Sequence, residues 1–291
     1  MAQLTFRVGL SLSNILVLTD FSAASLAAVT CIAPVAKESG SVIHLLHVIR
    51  PKSEIPSSGV HEDLGLKVQT DAQHLEAAIA TVPHKIWLRE GNVWPTAEDL
   101  VRSQHIDLIV VGTTGESDFI GSGAEEIIRK AVCPVLSVGP HASSTGDHAP
   151  LAQLLYVMNL WEGSHDGLEY SVQLAIRYKS RLLLLHVVEQ EEAKQSDNEW
   201  LKAYRRIMRN RLPESTDNLA EGPVLRVEVA KNISARILQV ADEVRADLVI
   251  LDVTPEPPGA THLPQTLHEI ISGASCPVLT VQSKKGEPPQ G

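Results

Sequence analysis

Aromatic residues make up only 4% of this chain: four tryptophans, four tyrosines and three phenylalanines. With 44% hydrophobic residues overall, any core must be packed from aliphatic side chains. Cysteine is also scarce. Cys31, Cys133 and Cys276 form no CxxC pair and no even set, which excludes a disulfide framework and suits a reducing compartment. Cys133 and Cys276 each precede a Pro-Val step and read as small buried apolar residues. Basic residues are outnumbered, 25 Lys and Arg against 35 Asp and Glu, for a net charge of −10. Nonspecific nucleic-acid binding, which needs cations to displace counterions, is thereby disfavoured. The one basic cluster, Lys202, Arg205, Arg206, Arg209 and Arg211, follows an acidic stretch and reads as a solvated helix face. No apolar run approaches the roughly 18 residues of a membrane span, and the N-terminus lacks the pattern of a signal peptide. The expectation is a cytoplasmic protein with neither membrane nor nucleic acid as partner.

What is present is a repeat. Asn14-Ile-Leu-Val-Leu-Thr-Asp20 is echoed by Gln153-Leu-Leu-Tyr-Val-Met-Asn159, and Leu45-Leu-His-Val48 by Leu184-Leu-His-Val187. Asp107-Leu-Ile-Val-Val-Gly112 returns as Asp247-Leu-Val-Ile-Leu-Asp252, and Cys133-Pro-Val-Leu-Ser-Val138 as Cys276-Pro-Val-Leu-Thr-Val281. The offsets are 139, 139, 140 and 143 residues. A period of about 140 residues matches one independently cored domain. Domains are therefore expected over 1–140 and 154–282, with a linker at 141–153 and a frayed tail at 283–291.

Within each copy, short β-branched runs alternate with stretches of helical spacing. Strands are expected at Ile15–Leu18, Val42–Ile49, Lys85–Leu88, Leu108–Val111 and Val135–Val138. Helices are expected at Ser22–Lys37, Leu64–Thr81, Thr96–Gln104 and Ala124–Ala131, with Gly40 closing the first. The second copy repeats this order, with helices over Gly167–Lys179, Trp200–Arg211, Ser234–Val244 and Gln265–Ile271. Such alternation with short connections is the pattern of an α/β fold: two tandem doubly wound parallel sheets of five strands each.

Two strand ends in the first copy carry residues that an aliphatic sheet does not need. Asp20 ends the first strand, with Ser22 a candidate N-cap just beyond it. Gly112 ends the fourth and opens Gly112-Thr-Thr-Gly115, and Gly121-Ser-Gly123 precedes the last helix. Glycines let backbone N–H groups approach a ligand, and N–H groups leading into a helix form an anion cradle. A neighbouring carboxylate can accept hydrogen bonds from ribose hydroxyls or a base amine, so the pair describes a nucleotide crevice at a topological switch point. Taken singly, Asp20 reads equally as a helix N-cap and the glycines as turn residues.

Ile15-Leu-Val-Leu-Thr-Asp-Phe-Ser22, Leu45-Leu-His-Val48, Asp107-Leu-Ile-Val-Val-Gly112 and the run from Gly121 to Val135 together resemble the universal stress proteins, over almost the whole chain. The resemblance implies a strand order of 3-2-1-4-5 in each sheet, with Asp20 and Gly112 side by side. It implies two domains paired in cis about a pseudo-twofold axis, commonly through the fifth strands, and a protein partner that the sequence does not identify; whether two chains associate further as a homodimer is left open by the sequence. It also implies an adenine nucleotide (ATP, ADP or AMP) in the first domain. Asp20, with Thr19 beside it, would hold the adenosine and the backbone of Val48 the base, while Gly112, Gly115, Gly121, Ser122 and Gly123 would line the phosphates. The family's pattern has about nine residues between the second and third of these glycines, whereas here only Glu116–Ile120 intervene. Four missing residues span at most roughly 13 Å. Glu116 and Asp118 add negative charge beside the phosphates unless a cation such as Mg²⁺ intervenes.

The second copy replaces each of these features. Asn159 stands for the aspartate, Asp252 and Pro255 for the first two glycines, and Pro264-Gln265 for the Gly-Ser pair. Proline offers no N–H, and a carboxylate at Asp252 is expected to repel phosphate. His47 and His186 occupy one position in both copies, including the copy without a site, and so read as scaffold. The other histidines show no metal-ligand spacing. Three functions follow. The first is a nucleotide-responsive stress protein whose second domain is structural or regulatory; the second is a nucleotide-independent scaffold. The third is a slow ATPase, for which there is no Walker lysine and no catalytic motif. A binding protein rather than an enzyme is expected.

Overall fold

The computed structural model of the protein describes residues 11–49, 73, 75–114, 122–142, 151–160, 166–190, 199–254 and 262–283. These residues divide into two compact units. Described residues of 12–146 and 260–278 form the first unit; those of 1–11, 147–259 and 279–291 form the second.

The first unit runs β1 (Asn14–Leu18), α1 (Ala23–Ser39), β2 (Val42–Ile49), β3 (His84–Glu90), α2 (Val93–Ser103), β4 (Leu108–Gly112), α3 (Ser122–Lys130) and β5 (Val135–Val138). Its strands lie in the order β3-β2-β1-β4-β5. The pairs β1–β2, β1–β4, β2–β3 and β4–β5 are parallel. The second unit runs β6 (Gln153–Val157), α4 (Asp166–Tyr178), β7 (Arg181–Glu189), α5 (Glu199–Asn210), a 3₁₀ turn (Glu214–Asn218), β8 (Val224–Ala230), α6 (Ile233–Val244), β9 (Leu248–Val253) and β10 (Val278–Gln282). Its order is β8-β7-β6-β9-β10, the same winding. The expected α/β class and five-strand order hold in both.

The core is aliphatic, as the shortage of aromatics requires. Ile15, Leu16, Val17, Ile109 and Val110 are wholly buried in the first unit, and Leu154, Leu155, Val249 and Ile250 in the second. Each such side chain contributes about 1.5–3 kcal/mol of burial. Polar repeats in the sequence prove to be clamps on this core. The Asp107 carboxylate accepts hydrogen bonds from the Ser13 and Asn14 N–H groups at 2.8 and 3.0 Å, and Asp247 accepts one from Gln153 N–H at 2.7 Å. The hydroxyls of Ser41 and Ser180 donate to the Leu12 and Leu151 carbonyls at matching places.

Local signals explain most element boundaries. Ser22 caps α1 by accepting from Ser25 N–H, and Gly40 closes it at φ 67°, the left-handed conformation glycine tolerates. α2 starts at Val93, three residues before the expected Thr96. Pro95 falls in its first turn, where backbone N–H groups have no intrahelical acceptor, so proline costs nothing there. Most of the helix expected over Leu64–Thr81 lies outside the described residues.

The second copy's last helix, α7 (Gln265–Gly273), belongs to the first unit. Within that unit Glu125 of α3, 8% exposed, accepts a 2.7 Å hydrogen bond from Leu263 N–H just ahead of α7. Gly139 is pressed against the Ile271 carbonyl, which would lie 2.9 Å from any Cβ there. Among the described residues, no helix is long and apolar enough to cross a membrane.

Candidate functional site

At the carboxyl end of β1 the chain makes a compact polar knot. Thr19 N–H donates to the Leu46 carbonyl at 2.9 Å, continuing the β1–β2 ladder, and the Thr19 hydroxyl accepts from Phe21 N–H at 2.9 Å. Phe21 takes φ 64°, a left-handed conformation that costs a bulky residue roughly 1–3 kcal/mol. Its ring packs on His47, centroid to centroid 4.5 Å. His47 Nδ1 lies 2.8 Å from the Thr19 carbonyl. A carbonyl only accepts, so Nδ1 carries the proton.

Asp20 is held on one side only. Its Oδ1 accepts from Ser22 N–H at 3.0 Å and from the Ser25 hydroxyl at 2.6 Å, while Asp20 N–H donates back to Ser25 Oγ at 3.1 Å. Burial pushes the carboxyl's pKa up, but the hydrogen bonds from Ser22 and Ser25 outweigh it and leave the pKa below its ordinary value. Asp20 is exposed, and its Oδ2 has no hydrogen-bond partner among the described residues. Ser25, at the centre of the knot, was not singled out from sequence. Its signal was the serine three residues after the N-cap.

Gly112 lies two residues beyond the last registered β1–β4 pair, Val17–Val110, and so level with Thr19. A Cβ here would sit 2.2 Å from the Ala24 carbonyl oxygen and 2.8 Å from Ser25 N. Its missing side chain is what lets the first turn of α1 lean on β4. Next to it, Thr113 is buried and donates its N–H to the Val138 carbonyl at 2.9 Å. Ser122 opens α3, and a Cβ on Gly123 would meet only Val93 methyls at 3.8–3.9 Å, ordinary contact. Packing therefore does not require glycine at 123. Val48 is half-buried on β2, in register with Arg89 of β3. Gly115 and Gly121 lie outside the described residues. Thr19, Asp20 and Gly112 thus come together at the carboxyl ends of β1 and β4, against the first turn of α1.

The second unit fills the equivalent place with its own side chain. Asp252, standing where Gly112 stands in β4, accepts at Oδ1 from Gly167 N–H at 2.8 Å and from the Ser283 hydroxyl, and at Oδ2 from the Tyr156 hydroxyl. Gly167 is the second residue of α4, so the carboxylate lies against that helix's N-terminal N–H groups. A Cβ on Gly167 would come within 2.7 Å of Asp252 Oδ1. Burial raises the Asp252 pKa, and the Ser283, Tyr156 and Gly167 hydrogen bonds only partly offset this. The sequence suggested repulsion of phosphate; the geometry adds that the carboxylate itself takes the place beside the α4 N-terminus. Tyr156, wholly buried, was missed because its position in the repeat is an ordinary core one, Val17 in β1. His186 Nδ1 meets the Met158 carbonyl at 2.9 Å, matching His47, so both histidines hold strand ends.

Among the described residues no group of three or more His, Cys, Asp or Glu could hold a metal ion. The Cys31 and Cys133 thiols are pushed up to about 11 and about 12 by burial, although Cys133 is half-buried and not fully buried as expected, whereas Cys276 is buried.

The chain belongs to the universal stress protein family, whose sequence model matches residues 12–139 and again 153–282. It is similar to a solved universal stress protein from Archaeoglobus fulgidus DSM 4304 at 17% identity and TM-score 0.67, over 94% of this chain and 99% of that one. A protein of unknown function from Pseudomonas aeruginosa PAO1 matches at 16% identity and TM-score 0.58, over 94% and 93%. At these identities the likeness is one of fold. No curated protein matches the chain.

Proposed function

We propose that the first unit binds an adenine nucleotide (ATP, ADP or AMP), and that the protein acts in the cytoplasm as a nucleotide-responsive stress protein rather than as an enzyme. Thr19, Asp20 and Val48 face adenosine in this reading, and Gly112, Gly115, Gly121, Ser122 and Gly123 line the phosphates. The observation that carries it is the half-free Asp20: Oδ1 fixed by Ser22 and Ser25, Oδ2 without a partner among the described residues. A fixed, ionised acceptor beside a helix N-terminus suits a pair of ribose hydroxyls. Gly123, a glycine that packing does not demand, supports close backbone approach to phosphate. Mg²⁺ would offset Glu116 and Asp118 if a triphosphate is the ligand. The second unit binds no nucleotide and serves a structural or regulatory role.

The test is native mass spectrometry of freshly purified protein together with thermal melting in ATP, ADP and AMP. A nucleotide at 100 times its dissociation constant stabilises by about 2.7 kcal/mol. No co-purified nucleotide and no shift with any of the three sinks the proposal. A competing reading, the nucleotide-independent scaffold, draws on a specific observation: the first turn of α1 already accounts for both the bare Cα of Gly112 and the bonded oxygen of Asp20. Turnover of ATP that survives purification and is lost in Asp20→Ala would instead restore the slow ATPase.

A further inference from the structure

The basic helix α5 does more than face solvent. It docks through Met208, which is wholly buried, and through Tyr204, whose ring stacks on His186 at 5.1 Å and meets Trp200 edge-on at 5.7 Å. That leaves Arg205 and Arg209, one helical turn apart, pointing into a cleft of about 700 Å³ bounded by α5, the 3₁₀ turn and the start of β8. Neither arginine has an ion-pair or hydrogen-bond partner among the described residues, in contrast to Lys202, which pairs with Glu199 at 2.9 Å. The cleft's other walls are mixed. Leu212, Leu219 and Leu225 give it apolar surface, and Thr216 lines it beside them. That Thr216 Oγ1 is buried and has no hydrogen-bond partner among the described residues. Asp217 also lines the cleft and offsets one of the two positive charges.

We propose that this cleft is a ligand site for a small organic oxyanion, independent of the nucleotide crevice in the first unit. The anionic head sits between Arg205 and Arg209, and the apolar body lies against the three leucines. Guanidinium forks match phosphate and carboxylate oxygens two at a time. The volume falls within the range of small-molecule sites, about 300–1,000 Å³. A phosphomonoester fits better than a carboxylate, because its second charge is met by the second guanidinium.

The full chain, labelled with ¹⁵N, is titrated with phenyl phosphate, benzoate and phenol, and shifts are followed at the Gly222 amide, which lines the cleft, and at the Arg205 and Arg209 Nε–H groups. Phenyl phosphate is expected to give saturable shifts at these positions, benzoate weaker ones and phenol none. Arg205→Gln and Arg209→Gln should each weaken phenyl phosphate by about tenfold or more, with melting unchanged because both side chains are exposed. Equal affinity for benzoate would still support an oxyanion site. Three results overturn the proposal: a Gly222 amide unmoved by either anion at millimolar concentration, affinity unaltered in both arginine variants, or phenol bound as well as phenyl phosphate.

Discussion

Each unit carries one carboxylate at the carboxyl end of a central strand, and the two are used in opposite ways. Asp20, ending β1, spends one oxygen on its own helix cap and leaves the other without a partner among the described residues. Asp252, on β9, has both oxygens bonded within the protein and lies against the N-terminal N–H groups of α4. A helix N-terminus attracts an anion wherever that anion comes from. The second unit supplies one covalently, as the Asp252 side chain on Gly167 N–H. What distinguishes the two carboxylates is that one is bonded within the protein through both oxygens and the other through one.

The comparison breaks most violently at Gly112. Gly112→Val forces a branched side chain into space already held by the Ala24 carbonyl, 2.2 Å from the Cβ position. Destabilisation of about 3 kcal/mol or more is expected, read as a fall in the urea midpoint. Tolerance of valine there would mean that α1 does not lean on β4 as described, and would remove the packing account of this glycine.

Asp252→Ala comes next. It leaves Gly167 N–H and the Tyr156 hydroxyl without their acceptor in a buried setting, at a cost of about 1–3 kcal/mol for each group left unsatisfied. Because burial already raises the Asp252 pKa, part of that cost is recovered when the desolvated charge goes, and about 2 kcal/mol net is expected. Emptying the cradle should still not confer nucleotide affinity, since Asn159 stands where Asp20 would be needed. ATP binding by the Asp252→Ala second unit would show that the plug alone separates the two copies.

Much of this was legible beforehand, for physical reasons that can be named. The strand and helix order follows from hydrophobic periodicity, and Gly40 and Ser22 announced the ends of α1. His47 and His186 could be assigned to scaffold because both copies keep them although the candidate site residues around them differ. Asp252 was recognised as a substitution, but its effect depended on where the carboxylate points. That is set by Gly167 and Tyr156, which lie 85 and 96 residues away in sequence. The placement of α7 in the first unit was likewise invisible. It rests on contacts such as that of Glu125 with Leu263, 138 residues apart, which no local pattern encodes.

A subtler change separates the two halves of Asp20's role. Asp20→Ala removes the acceptor for Ser22 N–H and the Ser25 hydroxyl, and a lost cap of this kind costs about 1 kcal/mol. If the crevice binds nucleotide, the same variant loses affinity by about tenfold or more, since a hydrogen bond to a charged acceptor disappears. Calorimetry with ADP on wild type and variant distinguishes the outcomes. A chain that melts lower yet binds equally well would leave Asp20 as a cap alone.

The smallest effect is the pH dependence, and the two carboxylates give it opposite signs. The Asp20 pKa is lowered in the folded state, so its stabilisation is present above the unfolded value of 3.8 and is lost as pH falls through the folded value. The Asp252 pKa is raised, so the folded chain holds that proton more tightly than the unfolded one. Its contribution is full below 3.8 and declines as pH rises through the raised folded value. Asp20→Asn should therefore make stability less sensitive to acid below about pH 4, while Asp252→Asn should remove a loss of stability on going from pH 4 toward neutrality. Urea midpoints measured from pH 3 to pH 7 on both variants check the pair. Slopes that change in the same direction would contradict the assignment of one carboxylate to an open hydrogen-bonded cap and the other to a buried plug.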